Sequence, residues 1–282
     1  MSRALWNKAF VDARLLLGSC VALMFIFHWV FVWITSAIKL PAFLDFLREL
    51  PPEIQNLSGV PVDQVATTAG RIALVYVDPI VLVAVGAWAI ARGSDAVSGE
   101  IDRGTMEMLV AQPIRRVDLL LTQICITVGG AALLAVAGWL GIAIGVLTVT
   151  LEESVSISMF VPASLNTFAL TLFLAGVSTL VSSWDQYRWR TVGLMGGFYV
   201  VAIMLEVIGR SVRDLGWVRW LSFMAAYEPQ QMVSAVMGDT SGGWGDAWTI
   251  SIRSDGILIG LGLAAYVGAV VVFCRRDLPA PL

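Results

Sequence analysis

Residues 119–149 read LLLTQICITVGGAALLAVAGWLGIAIGVLTV and contain no charged side chain. As a helix this stretch would extend for about 45 Å, against roughly 30 Å of hydrocarbon in a bilayer. It is therefore a membrane-spanning segment, long enough to tilt or to continue past the membrane surface. Working outward, five further runs of about 20 mostly apolar residues meet the same standard: 15–38, 72–91, 157–181, 191–209 and 257–274. Their interruptions are few: His28 in the first, Asp78 in the second, Asn166 in the fourth and Glu206 near the end of the fifth. Composition agrees, with 58% hydrophobic and 14% charged residues, where soluble domains carry about 45–50% and about 25%. Although 282 residues would suggest two soluble domains, the expectation here is one all-α integral membrane domain, residues 1–282, with six transmembrane helices.

An even number of spans puts both termini on one side. Placing them in the cytoplasm leaves most of the 18 Lys and Arg inside, on short segments close to span ends, where the positive-inside rule has most force. Lys39, Arg48, Arg71, Arg210, Arg213, Arg219 and Arg253 fall outside. The first run is too long for the apolar core of a signal peptide. Two external segments result. Residues 39–71 are broken by four prolines, with Phe43, Leu44, Phe46, Leu47 and Leu50 suited to one face of a short interfacial helix. Residues 210–256 carry Trp217, Trp220, Trp244 and Trp248, which favour the outer headgroup zone. Gly238 to Gly245 looks flexible.

Several chemistries are excluded or disfavoured. A net charge of -3 offers no field for nucleic acid. The two lysines, Lys8 and Lys39, do not follow glycine, so there is no phosphate-binding loop. One histidine, His28, cannot build a zincin site, and no Gly-x-Ser-x-Gly elbow exists. Gly243-Trp244-Gly245-Asp246 matches the glycine pattern of intramembrane aspartyl proteases, but in a polar external segment where carboxylates would be solvated. Cys20, Cys125 and Cys274 lack paired spacing and read as small buried hydrophobes. Charges within a bilayer are costly, so His28, Asp78, Asn166 and Glu206 are candidates either for a polar pathway or for the outer interface. Gly141 with Gly145, and Gly193 with Gly197, have the spacing that lets helices approach closely.

The most distinctive segment lies between the second and third spans, residues 98–116, SGEIDRGTMEMLVAQPIRR. Thr105 suits an N-cap, Glu107 the positive end of a first turn, and Pro113 a stop. Met106, Leu109 and Val110 share a face. Such a helix is too short to stand alone and needs a surface to dock on, either a partner or the inner leaflet.

Residues 99–116 closely resemble the cytoplasmic loop of ABC-2 type transporter permeases. Three other places agree: Leu5, Trp6, Ala9, Phe10 and Ala13 on one face of an N-terminal helix, like that family's interfacial connecting helix; Tyr227-Glu228-Pro229 after the fifth span; and Phe273-Cys274-Arg275-Arg276-Asp277-Leu278 at the exit of the sixth. The resemblance implies a permease subunit, an exporter by family expectation, whose short helix docks on a separate cytoplasmic ATP-binding subunit. Docking would fall to Glu100, Gly104, Thr105, Met106, Glu107, Leu109, Val110, Gln112 and Pro113. It also implies a homodimer, ATP and Mg bound by the partner and none by this chain, and an external helical hairpin before the last span acting as a gate near Tyr227, Glu228 and Pro229. A scaffold that docks a partner without transport remains the alternative. No residue selects the substrate.

Overall fold

A computed structural model describes residues 3–38, 49, 67–112, 115–237 and 243–276. The principal α-helices among them, joined in places by 3-10 turns, are α1 (Arg3–Ala37), α2 (Thr68–Ala73), α3 (Pro79–Ser94), α4 (Thr105–Val110), α5 (Arg116–Thr148), α6 (Val161–Trp184), α7 (Arg188–Ser211), α8 (Pro229–Met237) and α9 (Gly243–Arg275). Helix α3 continues through a π-turn, Asp95–Gly99, into Glu100–Asp102. Six helices are long and apolar enough to cross a membrane: α1, α3 with its extension, α5, α6, α7 and α9. The six expected spans are therefore present, and the described residues contain no strand.

Helices α3 and α6 form the buried centre, while α1, α7 and α9 present most of their surface outward. This is the arrangement a lipid solvent permits, because outward apolar side chains cost nothing there and backbone polar groups are satisfied within each helix. Close packing needs small residues. A Cβ on Gly141 of α5 would stand 2.4 Å from the carbonyl oxygen of Phe25 on α1, and one on Gly145 would stand 2.7 Å from Val32. At Gly193 and Gly197 an added Cβ meets nothing within 4 Å, so that pair packs no helix among the described residues.

Both ends of the described chain lie at one end of the bundle. There Lys8 of α1 is paired with Glu100, Arg116 donates to the carbonyl of Arg276 (2.7 Å), and Arg276 donates to those of Ser183 and Asp185 (both 2.9 Å). At the opposite end Arg71 donates to the carbonyl of Ile38 (2.6 Å) and faces Glu152 (3.4 Å).

Three boundaries, and the exposure of two cysteines, differ from expectation. The N-terminal amphipathic segment is not a separate connecting helix: α1 is continuous from Arg3, with Leu5, Ala9 and Ala13 buried and Trp6 and Phe10 exposed. No Pro interrupts it, and its apolar stripe runs on into the span. The second span is broken at Asp78, whose carboxylate caps α3 by accepting from Ile80 N (2.8 Å) ahead of Pro79. The last helix starts at Gly243 instead of residue 257, so Trp244, Trp248 and Arg253 lie on it and not in an external loop. Its charges do not end it, because Asp255 finds partners inside the bundle. Among the cysteines only Cys20 is buried; Cys125 and Cys274 face outward. The proposed interfacial helix near Phe43 lies outside the described residues.

Candidate functional site

The end of the bundle that holds α4 is built on the π-turn that succeeds α3. Ser182 of α6 fills the widened turn: its Oγ accepts from Ser98 N (2.9 Å) and Val97 N (3.3 Å) and donates to Ser94 O (3.0 Å). Ser98 Oγ also lies 3.3 Å from Thr191 Oγ1 of α7, which ties three helices together through hydroxyls. A π-turn rotates the residues C-terminal to it, and such turns cluster at functional positions. Here the turn begins with Asp95 and is followed by Glu100, and both carboxylates face a group of cations. Asp95 faces Arg103 (2.6 Å), Arg92 (3.4 Å) and Arg188 (3.7 Å). Glu100 accepts from Lys8 and Thr105 and faces Arg103 at 3.3 Å. Partial burial disfavours the charge on Arg103, yet the carboxylates of Asp95 and Glu100 together hold that guanidinium above its ordinary range.

The chain then reverses through Gly104, at φ 68°, a left-handed conformation that glycine adopts without strain, and enters α4. Gly104, not Thr105, is the N-cap; Thr105 is the first helical residue, its hydroxyl used on Glu100. The apolar face of α4 is spent within the chain. Met106, 4% exposed, packs with Ala96, Val97, Leu120, Ala269 and Phe273, and Leu109 and Val110 are half-buried. Glu100 is 2% exposed. Met106 and Glu100 therefore do not face a partner, as the sequence suggested; the bundle itself supplies the surface that the short helix needs. What α4 turns outward is Glu107 and Met108 (64% exposed), followed beyond its end by the exposed Ala111 and Gln112. Pro113 lies outside the described residues.

At the other end Tyr227, Glu228 and Pro229 form a pinned corner. Asn166, buried in α6, accepts from Glu228 N (3.0 Å) and donates to Ala226 O (3.1 Å) and to Asp255 Oδ1 of α9 (2.7 Å). Ser251 donates to the second oxygen of Asp255 (2.5 Å). Tyr227 donates to the carbonyl of Tyr76 (2.7 Å); burial pushes its phenol above the ordinary value, so it acts as a neutral donor. Arg219 spans Glu228 (2.6 Å) and Glu206 (3.6 Å), and Arg210 pairs with Glu206 (2.5 Å). Pro229 opens α8, which packs on α9.

A family model described as ABC-2 family transporter protein matches residues 8–278. The chain belongs to the ABC-2 transporter family. No curated protein matches it at a significant level. This ABC-2 permease is a multi-pass membrane protein and the membrane subunit of an ABC transporter, and permeases of its family partner an ATP-binding subunit.

The permease brings together some of the expected polar residues and separates others. Asn166, Glu206 and Glu228 share one network at the end away from α4, and Tyr227 adjoins it with its hydroxyl on Tyr76 O. Asp78 is a helix cap. His28 is buried against Gly138 and the ring of Tyr76 (5.5 Å), its Nδ1 engaged with Met24 O (2.7 Å). A cleft of about 770 Å3 between α3 and α7 has Glu206 in its wall but not His28, Asp78 or Asn166. The sequence reading missed Asp95, Arg92, Arg188, Ser182 and Asp255. The one signal for the first two was charge inside an otherwise apolar continuation of the second span, Arg92 and then Asp95 three residues later, which a helix places on one face.

Proposed function

We propose that this permease forms a transport pathway that a separate ATP-binding subunit drives through the outward face of α4. The observation that carries this reading is the anchoring of α4: Met106 is set in the bundle, and Glu100 ties the same turn to Lys8 of α1. A six-residue helix held in this way transmits a push on Glu107 and Met108 to α1, α3, α5 and α9 together, where a loose loop would absorb it. Two copies of the permease act with two ATPase subunits, ATP and Mg reside in those partners, transport runs outward by alternating access, and the corner at Tyr227 to Pro229 serves as the outer gate.

The double change Glu107→Arg with Met108→Asp tests the docking face. Both side chains point away from the bundle, so insertion and thermal stability should match the parent protein. Permease-dependent ATP hydrolysis by the partner should fall at least tenfold, as expected when a contact worth about 1.4 kcal/mol or more is lost. Unchanged coupling in that variant would place the docking surface elsewhere.

A further inference from the structure

Two hollows on one flank of the bundle adjoin. The larger, the 770 Å3 cleft, runs between α3 and α7 past Val83, Ala87, Val192, Gly196 and Val200, and its walls are almost wholly apolar. The smaller, about 580 Å3, lies at the end that holds α4 and is lined by Lys8, Asp12, Arg92, Asp95, Arg103 and Arg188. Leu16, Ala91 and Arg188 belong to the walls of both. A charged chamber thus opens onto an apolar cleft whose volume is within the roughly 300–1,000 Å3 typical of ligand sites.

The chamber is cationic on balance. Four cations, Lys8, Arg92, Arg103 and Arg188, meet the carboxylates of Asp12, Asp95 and Glu100. Asp95 is shared by three guanidiniums, and of these Arg103 alone also faces Glu100. Arg188 is the least engaged: its Nε stands 3.7 Å from Asp95 and has no hydrogen-bond partner among the described residues. It is also the residue at the threshold between chamber and cleft. Arginine suits the oxygens of a phosphate group, and basic pockets between transmembrane helices are suited to anionic headgroups.

We propose that this site binds an anionic phospholipid carrying one phosphodiester charge. The headgroup is held in the chamber by Arg188 and Arg103, and an acyl chain lies along the α3–α7 cleft. The occupant is set by complementarity at both places: a soluble anion would leave the apolar cleft unfilled, and a neutral lipid would leave the excess positive charge unmatched.

The test uses the full chain, purified and delipidated, without nucleotide or ATPase, so that failure here leaves the permease reading untouched. Native mass spectrometry measures retention of phosphatidylglycerol against phosphatidylcholine with the same chains. Phosphatidylglycerol should bind about tenfold more tightly, and Arg188→Gln should remove roughly that preference, the loss of one charge-assisted contact. Gly196→Trp should weaken phosphatidylglycerol retention with thermal stability preserved, because an added Cβ there meets nothing within 4 Å. Equal retention of the two lipids overturns the proposal, as does phosphatidylglycerol retention that neither variant alters. Displacement of the lipid by glycerol 3-phosphate at equal concentration overturns it in favour of a soluble anion. A Gly196→Trp protein that changes only its oligomeric state overturns it in favour of a second copy covering the cleft.

Discussion

Replacing Glu100 isolates the link between α4 and the rest of the bundle. Its carboxylate is buried, but its cations are not: Lys8 is 35% and Arg103 42% exposed, so each ion pair is screened and worth about 0.5–1 kcal/mol. Glu100→Gln keeps an acceptor for the Thr105 hydroxyl and loses only the two ion pairs, a cost of about 1–2 kcal/mol. Glu100→Ala also leaves the Thr105 hydroxyl with only the backbone carbonyl of residue 100 and leaves a void, raising the cost to about 2–4 kcal/mol. Because α4 spans only Thr105–Val110 and cannot hold itself, the loss should appear first as local opening. Hydrogen exchange of peptides covering residues 100–112, monitored by mass spectrometry, reads it directly. Exchange should quicken about tenfold in the glutamine variant and about a hundredfold in the alanine variant, at tenfold per 1.4 kcal/mol. Parental exchange in Glu100→Ala would refute the view that this carboxylate anchors the helix; equal effects of both variants would refute the partition between charge and hydroxyl.

Two other expectations concern packing away from α4. Asn166→Ala removes the partners of Ala226 O, Glu228 N and Asp255, and thermal unfolding in detergent should show a loss of about 2–4 kcal/mol; Asn166→Asp, which sets a second carboxylate against Asp255, should be worse than alanine. Gly141→Leu forces a side chain against the backbone of Phe25 and should abolish recovery of monodisperse protein, while Gly193→Leu should leave the yield unchanged; comparable yields for the two would mean that α1 and α5 do not cross there.

The spans were legible because a bilayer imposes one strong demand, a sustained absence of charge, and residues 119–149 satisfy it without help from anything else in the chain. The same demand misplaced the start of α9. Asp246, Arg253 and Asp255 look like the end of a span, yet Asp255 is buried because Asn166, 89 positions away, donates to it. No local pattern announces such a partner. Periodicity correctly put Met106, Leu109 and Val110 on one face of α4 but was silent on whether that face meets a partner or the chain's own core. The charge cluster at Asp95 was hidden for a related reason: it is assembled from α1, α3 and α7 by a π-turn, and a turn of that width is fixed by the hydroxyl of Ser182 in another helix.

Helix α1 is 35 residues long without a break and crosses α5 where Gly141 meets Phe25. It is in effect a beam resting on a fulcrum. Lys8 stands about 25 Å to one side of that point and Ile38 about 20 Å to the other, at 1.5 Å per residue. A sideways displacement of about 2 Å at Lys8 would arrive at Ile38, the residue Arg71 holds, as roughly 1.5 Å in the opposite sense. The two ends of the bundle are thereby joined by a single unbroken rod.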